Sequence, residues 1–179
     1  GLQFKLDVTK VFFSPRQITE RKALVSHVDS GDSICVFFSG IGAIPIYLSK
    51  FSQASTITGI ELNQLAHHYA SENLELNAVH NVRLIHGDVS QIIPQLVQQE
   101  KFNLVIMPLP KDAPSFLSLA HRALATQGKL IISFIGSKTK LQAKLQELEA
   151  NQFTLLTTRK ERNVAPKEYR YTLFCQKSD

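Results

Sequence analysis

Apolar and polar positions along the chain follow two different periods. Short runs rich in β-branched and aromatic residues occupy positions 33–38, 56–61, 82–86, 102–107 and 129–135. Runs of this length and makeup predict strands. Between them, positions 44–51, 63–77, 90–98, 113–125 and 138–149 carry helical spacing, with apolar residues three and four apart, as in Leu141, Leu145 and Leu148. That spacing places apolar side chains on one face of a helix. Strands alternating with helices of this length predict parallel βαβ units. Right-handed crossovers build such units into an open α/β sheet with helices on both faces.

Both ends of the chain depart from the alternation. Positions 153–161 and 169–176 are consecutive strand-like runs, separated by the turn-rich NVAPKE. They predict an antiparallel hairpin at the end of the sheet. At the start, positions 4–6 and 11–13 suggest a short hairpin around Asp7, followed by a helix over 18–28 that opens after Ser14-Pro15. The expected organisation is a short N-terminal hairpin over 1–14 and one domain over 15–179.

Composition narrows the classes without choosing a function. The 179 residues are 44% hydrophobic, which suits a globular core and excludes a disordered chain. No apolar run approaches the roughly 18 residues of a membrane helix. GLQFKLDVTK alternates apolar and polar positions and carries charges, unlike the apolar stretch of a signal peptide. Cys35 and Cys175 lie in apolar strand-like runs and are expected as buried thiols in a reducing, cytoplasmic setting. The net charge of +5 and the pI of about 9.3 permit a polyanionic partner.

The stretch VFFSGIGAIPIYLSK has the order strand, Gly-x-Gly, helix. Gly40 and Gly42 permit positive φ and close backbone approach to a ligand. The helix that follows offers N–H groups to negative charge, and Pro45 falls in its first turn, where a missing donor costs little. The third glycine of the dinucleotide fingerprint is absent. Glu61 ends the second strand, 19 residues after Gly42, where a carboxylate can accept both hydroxyls of an adenosine ribose. Asp88 follows the third strand and has two readings: acceptor of an adenine amino group, or N-cap of the helix at Ser90. A nicotinamide dinucleotide would use the same glycines and ribose acid. Asp88 and the terminal hairpin favour S-adenosyl-L-methionine, because a mostly parallel seven-stranded sheet ending in a hairpin is the pattern of Rossmann-like class I methyltransferases. The fourth strand ends in VIMPLPKDAP, and ligands of open parallel sheets bind outside strand C-termini. Two prolines there fix an extended loop and leave carbonyl oxygens for a substrate base.

Five stretches make the resemblance specific: DVTKVFFSPRQITERKAL, FFSGIGAIPIYLSK, GIELNQLAHHYASENLELN, VRLIHGD and VIMPLPKDAPSFL. Together they resemble the catalytic domain of archaeal and eukaryotic tRNA guanine-N1 methyltransferases, shared with the wybutosine-pathway aminocarboxypropyl transferases. The resemblance implies an S-adenosylmethionine site built from Phe38, Ser39, Gly40, Gly42, Glu61, Leu62, Asp88 and Val89. It implies Glu20 as the general base that takes the N1 proton, with Arg16 beside it, and Met107, Pro108, Leu109 and Pro110 as the loop receiving the base. It also implies tRNA as partner and a tRNA-binding region ahead of this domain, of which the hairpin over 1–14 would be a remnant; no membrane and no metal are expected. Two positions depart from the family pattern. Val36 stands where an aspartate is common, two residues before the Phe of F-x-G-I-G, and Pro108 stands where several members have Asn. The alternatives are aminocarboxypropyl transfer from the same cofactor and a non-catalytic binding module that has lost cofactor affinity with Val36.

Three further groups carry expectations. Arg16 and Arg21 bracket Glu20 and read either as phosphate or carboxylate holders or as a solvated helix face. Arg159, Lys160, Arg162, Lys167 and Arg170, interleaved with Tyr169 and Tyr171, read either as an RNA-tracking patch joined by Lys138 and Lys140 or as a charged sheet edge. His67 and His68 lack metal-ligand partners at useful spacing and are expected as surface or satisfied histidines.

Overall fold

A computed structural model describes residues 1–14, 17–108 and 114–178. The chain divides into two compact units, Gly1–Ile92 and Ile93–Asp179. Among the described residues, no helix is long and apolar enough to cross a membrane.

The first unit is built on three parallel strands in the order β3-β2-β1: β1 (Ser33–Phe37), β2 (Thr56–Glu61) and β3 (Val82–His86). Ile34, Cys35, Val36 and Phe37 of β1 are all fully buried, as a continuous apolar run requires when both faces of a strand are covered. β3 lies at the edge of this set and leaves Arg83 and His86 exposed. Parallel pairing brings Glu61 opposite His86 and Val36 opposite Gly59. The helices are α1 (Ile18–Val25), α2 (Ala43–Phe51), α3 (Gln64–Leu76) and the start of α4 (Val89–Leu96). α1 is shorter than its apolar spacing predicts. Ser26 directs its hydroxyl back to the Ala23 carbonyl, and tight turns to Leu24 and Val25 end the helix.

The predicted N-terminal hairpin is not formed. Residues 1–7 belong to no strand. Asp7 instead makes a local turn, its Oδ1 accepting from the Thr9 N–H and hydroxyl at 2.9 and 2.6 Å. Two three-residue segments offer too few ladder bonds to hold a hairpin. The backbone groups of Gln3 and Lys5 pair instead with the side-chain amides of Asn77, the C-cap of α3, and Asn73 within it.

The second unit has the strand order β4-β5-β7-β6, formed by β4 (Phe102–Pro108), β5 (Leu124–Gly136), β6 (Phe153–Ala165) and β7 (Glu168–Lys177). β4 and β5 run parallel, and β7 is antiparallel to both β5 and β6. The helices are α5 (Pro114–Ala123) and α6 (Lys138–Ala150). β5 begins earlier than its sequence pattern predicts because Leu124 pairs with Phe102. A register shift follows, with Leu104 opposite Lys129, and Gln127 takes φ 57° in the excursion. Likewise NVAPKE is mostly strand. β6 runs to Ala165, which pairs with Glu168, so only Pro166 and Lys167 turn the chain, Lys167 with φ 63°. The seven predicted strands and the terminal antiparallel hairpin are therefore present. Both cysteines are buried free thiols, and burial pushes the Cys175 thiol up to about 12.

Candidate functional site

The site elements of the first unit converge where β1 and β2 end. After Phe37 the chain turns through Phe38 at φ 57°, Gly40 at φ 56° and Gly42 at φ 81°. Ser39 N–H donates to the Ile60 carbonyl at 2.9 Å, which holds the turn against β2. Gly42 N–H donates to the Ser39 carbonyl at 3.1 Å, and Gly42 caps α2.

The two glycines are required for different reasons. A Cβ on Gly42 would meet Ala70 Cβ and Ile46 Cδ1 at 3.3 Å, so this glycine lets α2 and α3 pack. A Cβ on Gly40 would meet nothing within 4 Å, so the space over Gly40 is open. That opening, beside a helix N-terminus, leaves room for a ligand to reach the backbone.

Glu61 borders the opening. Its Oε2 accepts from Gly40 N–H and its Oε1 from Asn63 N–H, both at 2.8 Å. Its own carbonyl accepts from Gly87 N–H at 2.9 Å, tying the ends of β2 and β3 together. The half-buried carboxylate is thus fixed by two backbone donors while each oxygen keeps lone-pair capacity for a hydroxyl. Leu62 beside it is 63% exposed, an apolar surface next to the Glu61 carboxylate.

Both readings of Asp88 concern the same carboxylate. Oδ1 accepts from Ser90 N–H at 2.7 Å and the Asp88 carbonyl accepts from Gln91 and Ile92, so the N-cap is realised and α4 starts at Val89. Val89 is 3% exposed, so its side chain belongs to the core and only its backbone is left to frame a ligand. Ser39 is also buried, and its Oγ has no hydrogen-bond partner among the described residues.

Val36 is fully buried within β1. The absent acid is therefore a change inside the strand core, two residues before the turn.

Glu20 is half-buried on α1. Arg21 next to it is 5% exposed, so the solvated-face reading does not hold for this residue. Its guanidinium lies 5.4 Å from the centre of the Phe13 ring. Burial lowers its pKa, while Glu20 and Tyr47 act the other way. Arg16, the other half of the bracket, lies outside the described residues.

In the second unit Met107 is fully buried near the end of β4, which leaves its backbone rather than its side chain for a ligand, and Pro108 is half-buried. A strand end covered on both faces puts the Met107 side chain in the core. Leu109 and Pro110 lie outside the described residues.

Sequence reasoning missed three groups. Asn63 completes the clamp on Glu61 and caps α3 by accepting from Leu65 and Ala66; Asn is a favoured N-cap, so ELN carried the signal. His86 was passed over as a strand residue, yet its Nε2 lies 3.0 Å from the Leu62 carbonyl, so that nitrogen carries the proton. His67 stacks beside it at 5.5 Å between ring centres. His67 is neither surface nor satisfied. Its Nδ1 is buried without a partner among the described residues, and burial, with His86 next to it, holds its imidazole below the usual range. Among the described residues, no group of three His, Cys, Asp or Glu side chains is placed to hold a metal ion.

The TRM5/TYW2 methyltransferase domain matches residues 1–153. The tRNA (guanine(37)-N(1))-methyltransferase Trm5b of Pyrococcus abyssi is 34% identical over 177 residues, covering 94% of this chain and 51% of that protein. Its crystal structure superposes with a TM-score of 0.88 at 31% identity, over 100% of this chain and 54% of that one. TYW2 of M. jannaschii in complex with AdoMet gives a TM-score of 0.82 at 26% identity, over 97% of this chain and 80% of that one. The complex of aTrm5 and tRNALeu gives 0.85 at 29% identity, over 99% of this chain and 51% of that one. The chain spans about half the length of the curated relatives it matches along nearly all of its own residues. The family match spans residues of both units, and the chain belongs to the TRM5/TYW2 methyltransferase-domain family.

Proposed function

We propose that the chain is an S-adenosylmethionine-dependent methyltransferase domain that acts on N1 of a guanosine in tRNA, in the cytoplasm. The observation that carries the reading is the Glu61 carboxylate. It is fixed by Gly40 and Asn63 at the edge of an opening over Gly40 where no Cβ stands. The names of the relatives, which act on tRNA guanosine or hold AdoMet, support it.

In this reading Glu61 accepts the ribose hydroxyls, the backbone of Phe38, Ser39, Gly40 and Gly42 lies along the cofactor, and Leu62, Asp88 and Val89 border the adenine. When bound, S-adenosylmethionine supplies an electrophilic methyl group on a sulfonium that leaves as a neutral thioether. Guanine N1 carries a proton that must depart as the new N–C bond forms. Glu20 takes that proton, and Arg16 orients or balances the carboxylate. Met107, Pro108, Leu109 and Pro110 receive the base through backbone carbonyls, since Pro108 has no side-chain amide to offer. Positioning and proton removal account for the catalysis.

Calorimetric titration with S-adenosylmethionine tests the reading first: no heat at millimolar cofactor supports the binding-module alternative that the buried Val36 motivates. Incubation with tRNA, unmodified or carrying 4-demethylwyosine, then separates transfers by product mass. A methyl addition supports the proposal. An aminocarboxypropyl addition supports the second reading, favoured by the 39% identity over 88 residues with an aminocarboxypropyltransferase of Methanocaldococcus jannaschii. Glu20→Ala should lower kcat about 10²–10⁴-fold with cofactor affinity unchanged. Equal losses in both would remove Glu20 from the base role.

A further inference from the structure

The glycine turn is also held at the buried residue between its two glycines. Ile41, between Gly40 and Gly42, is 2% exposed. Its side chain sits in a buried cluster with Val11, Ala43 and Ala66, and Phe4, Leu6 and Phe13 of the N-terminal arm pack against that cluster. Its carbonyl accepts from Asn73 Nδ2 at 3.1 Å.

Asn73, fully buried on α3, serves the arm with the same amide. Its Oδ1 accepts from Lys5 N–H at 2.7 Å, and Nδ2 also donates to the Lys5 carbonyl at 3.2 Å. One helical turn later Asn77 repeats the pattern with Gln3, at 3.0 and 2.7 Å. The periods match. Residues two apart on an extended chain lie about 6.6 Å apart, and residues four apart on a helix rise about 6 Å. The two amides therefore pair with the arm as a neighbouring strand would. The orientation of Asn73 is fixed, because only Oδ1 can receive the Lys5 N–H. Both Nδ2 hydrogens are then used, one on the arm and one on the turn.

We propose that Asn73 is a positioning residue for the cofactor turn, through which residues 3–5 of the N-terminal arm set the conformation of residues 40–42. This rests on the cofactor reading above. Gly40 and Gly42 leave the turn free to adopt several conformations. The peptide between Ile41 and Gly42 is held at its oxygen by Asn73 and at its nitrogen by Ser39. Without the Asn73 donor, the buried Ile41 carbonyl loses its partner and the turn populates other states. The binding-competent fraction falls, and the apparent Kd rises by the inverse of that fraction. Lys5 matters because its peptide anchors the amide that reaches Ile41.

The test compares three variants of the full chain. Asn73→Asp keeps shape and acceptor but removes both donors. Lys5→Pro removes the arm's N–H, and Lys5→Ala keeps that N–H while removing the ion pair with Glu72. Two readouts are taken far below the unfolding temperature: the Kd for S-adenosylmethionine by calorimetry, and amide hydrogen exchange at Gly42 without cofactor. Asn73→Asp and Lys5→Pro should each weaken binding about tenfold and speed Gly42 exchange about tenfold, while exchange at Ile57 in β2 and kcat at saturating cofactor stay unchanged. Lys5→Ala should change neither. The double variant should be no worse than Asn73→Asp alone. Folded variants with parental affinity and parental Gly42 exchange overturn the proposal, as does an additive double variant. If Asn73→Asp does not fold, the contrast between Lys5→Pro and Lys5→Ala decides. If the parent binds no S-adenosylmethionine, the cofactor reading fails and Gly42 exchange alone decides this inference.

Discussion

Glu61 in the first unit and Lys160 in the second are both charged residues singled out as ligand contacts, and the fold uses them differently. Glu61 takes two backbone N–H groups, one per oxygen, and still borders open space. Lys160 places its ammonium 3.5 Å from the centre of the Tyr169 ring. Around it, Arg159 faces Glu161 at 3.8 Å, Arg170 is 6% exposed and Tyr171 is 2% exposed. Other cations of this unit also serve the fold. Lys177 donates to the carbonyls of His121 and Leu124, and Lys101 to that of Arg122, satisfying the end of α5. A carboxylate can hold its own loop and a ligand at once because it has four lone-pair sites. Buried Arg170 and Tyr171 cannot serve as phosphate or base contacts, which removes two residues from the expected patch. What remains exposed is Lys138, Lys140 and Lys167, with Lys160 held on its ring; the side chain of Arg162 lies outside the described residues.

The contrast predicts where substitutions matter. Glu61→Ala should weaken S-adenosylmethionine binding about 100-fold or more, through two lost hydrogen bonds to a charged acceptor and a loosened turn. Calorimetry measures it; a loss under threefold would mean that the carboxylate only builds the loop. The glycines come next. Gly42→Ala should destabilise the fold by about 1–3 kcal/mol, since φ 81° is unfavourable for alanine and Ala70 and Ile46 stand 3.3 Å from the new Cβ. Gly40→Ala meets no atom and keeps only the φ cost of about 1 kcal/mol, so its damage should fall on cofactor affinity. Thermal unfolding paired with titration separates the two. Equal stability losses would show that the opening over Gly40 is not special.

These glycines and acids were legible because their causes are local. Each strand end, positive-φ turn and N-cap is set within a few residues of itself, and FSGIG, ELN and GDVS spell them out. The N-terminal arm was not legible. Its pattern suggested a hairpin with itself, whereas its partners, Asn73 and Asn77, lie 68 and 74 residues away. The start of β5 was hidden for the same reason, being set by Phe102 across the sheet rather than by local helix spacing. Burial of Arg21 and Arg170 was invisible because composition counts charges without saying what covers them. The Val36 departure was visible as a residue, but its meaning depends on its place inside a fully buried strand.

Asp88 offers a finer cut, because one side chain carries two roles that different substitutions separate. Asparagine caps a helix as well as aspartate does but carries no charge, and alanine does neither. Asp88→Asn should leave stability within about 0.5 kcal/mol, and Asp88→Ala should cost about 1 kcal/mol. If the carboxylate also receives the adenine amino group, both variants should weaken cofactor binding by about three- to tenfold. Parental affinity in Asp88→Asn would leave only the cap.

The smallest expected effect bears on the hairpin. Lys160→Ala removes a cation–π contact worth about 0.5–1 kcal/mol at an exposed site. If the ammonium is engaged with Tyr169 rather than with phosphate, tRNA affinity should change less than twofold, and the slope of log affinity against log salt should not move. A phosphate contact would instead flatten that slope by nearly one. Lys138→Ala and Lys140→Ala, at exposed positions opening α6, provide the comparison. A slope change in them but not in Lys160→Ala would locate the phosphate contacts on the helix start. The reverse result would mean that RNA draws Lys160 off its ring, and the two regions would then use their charges alike.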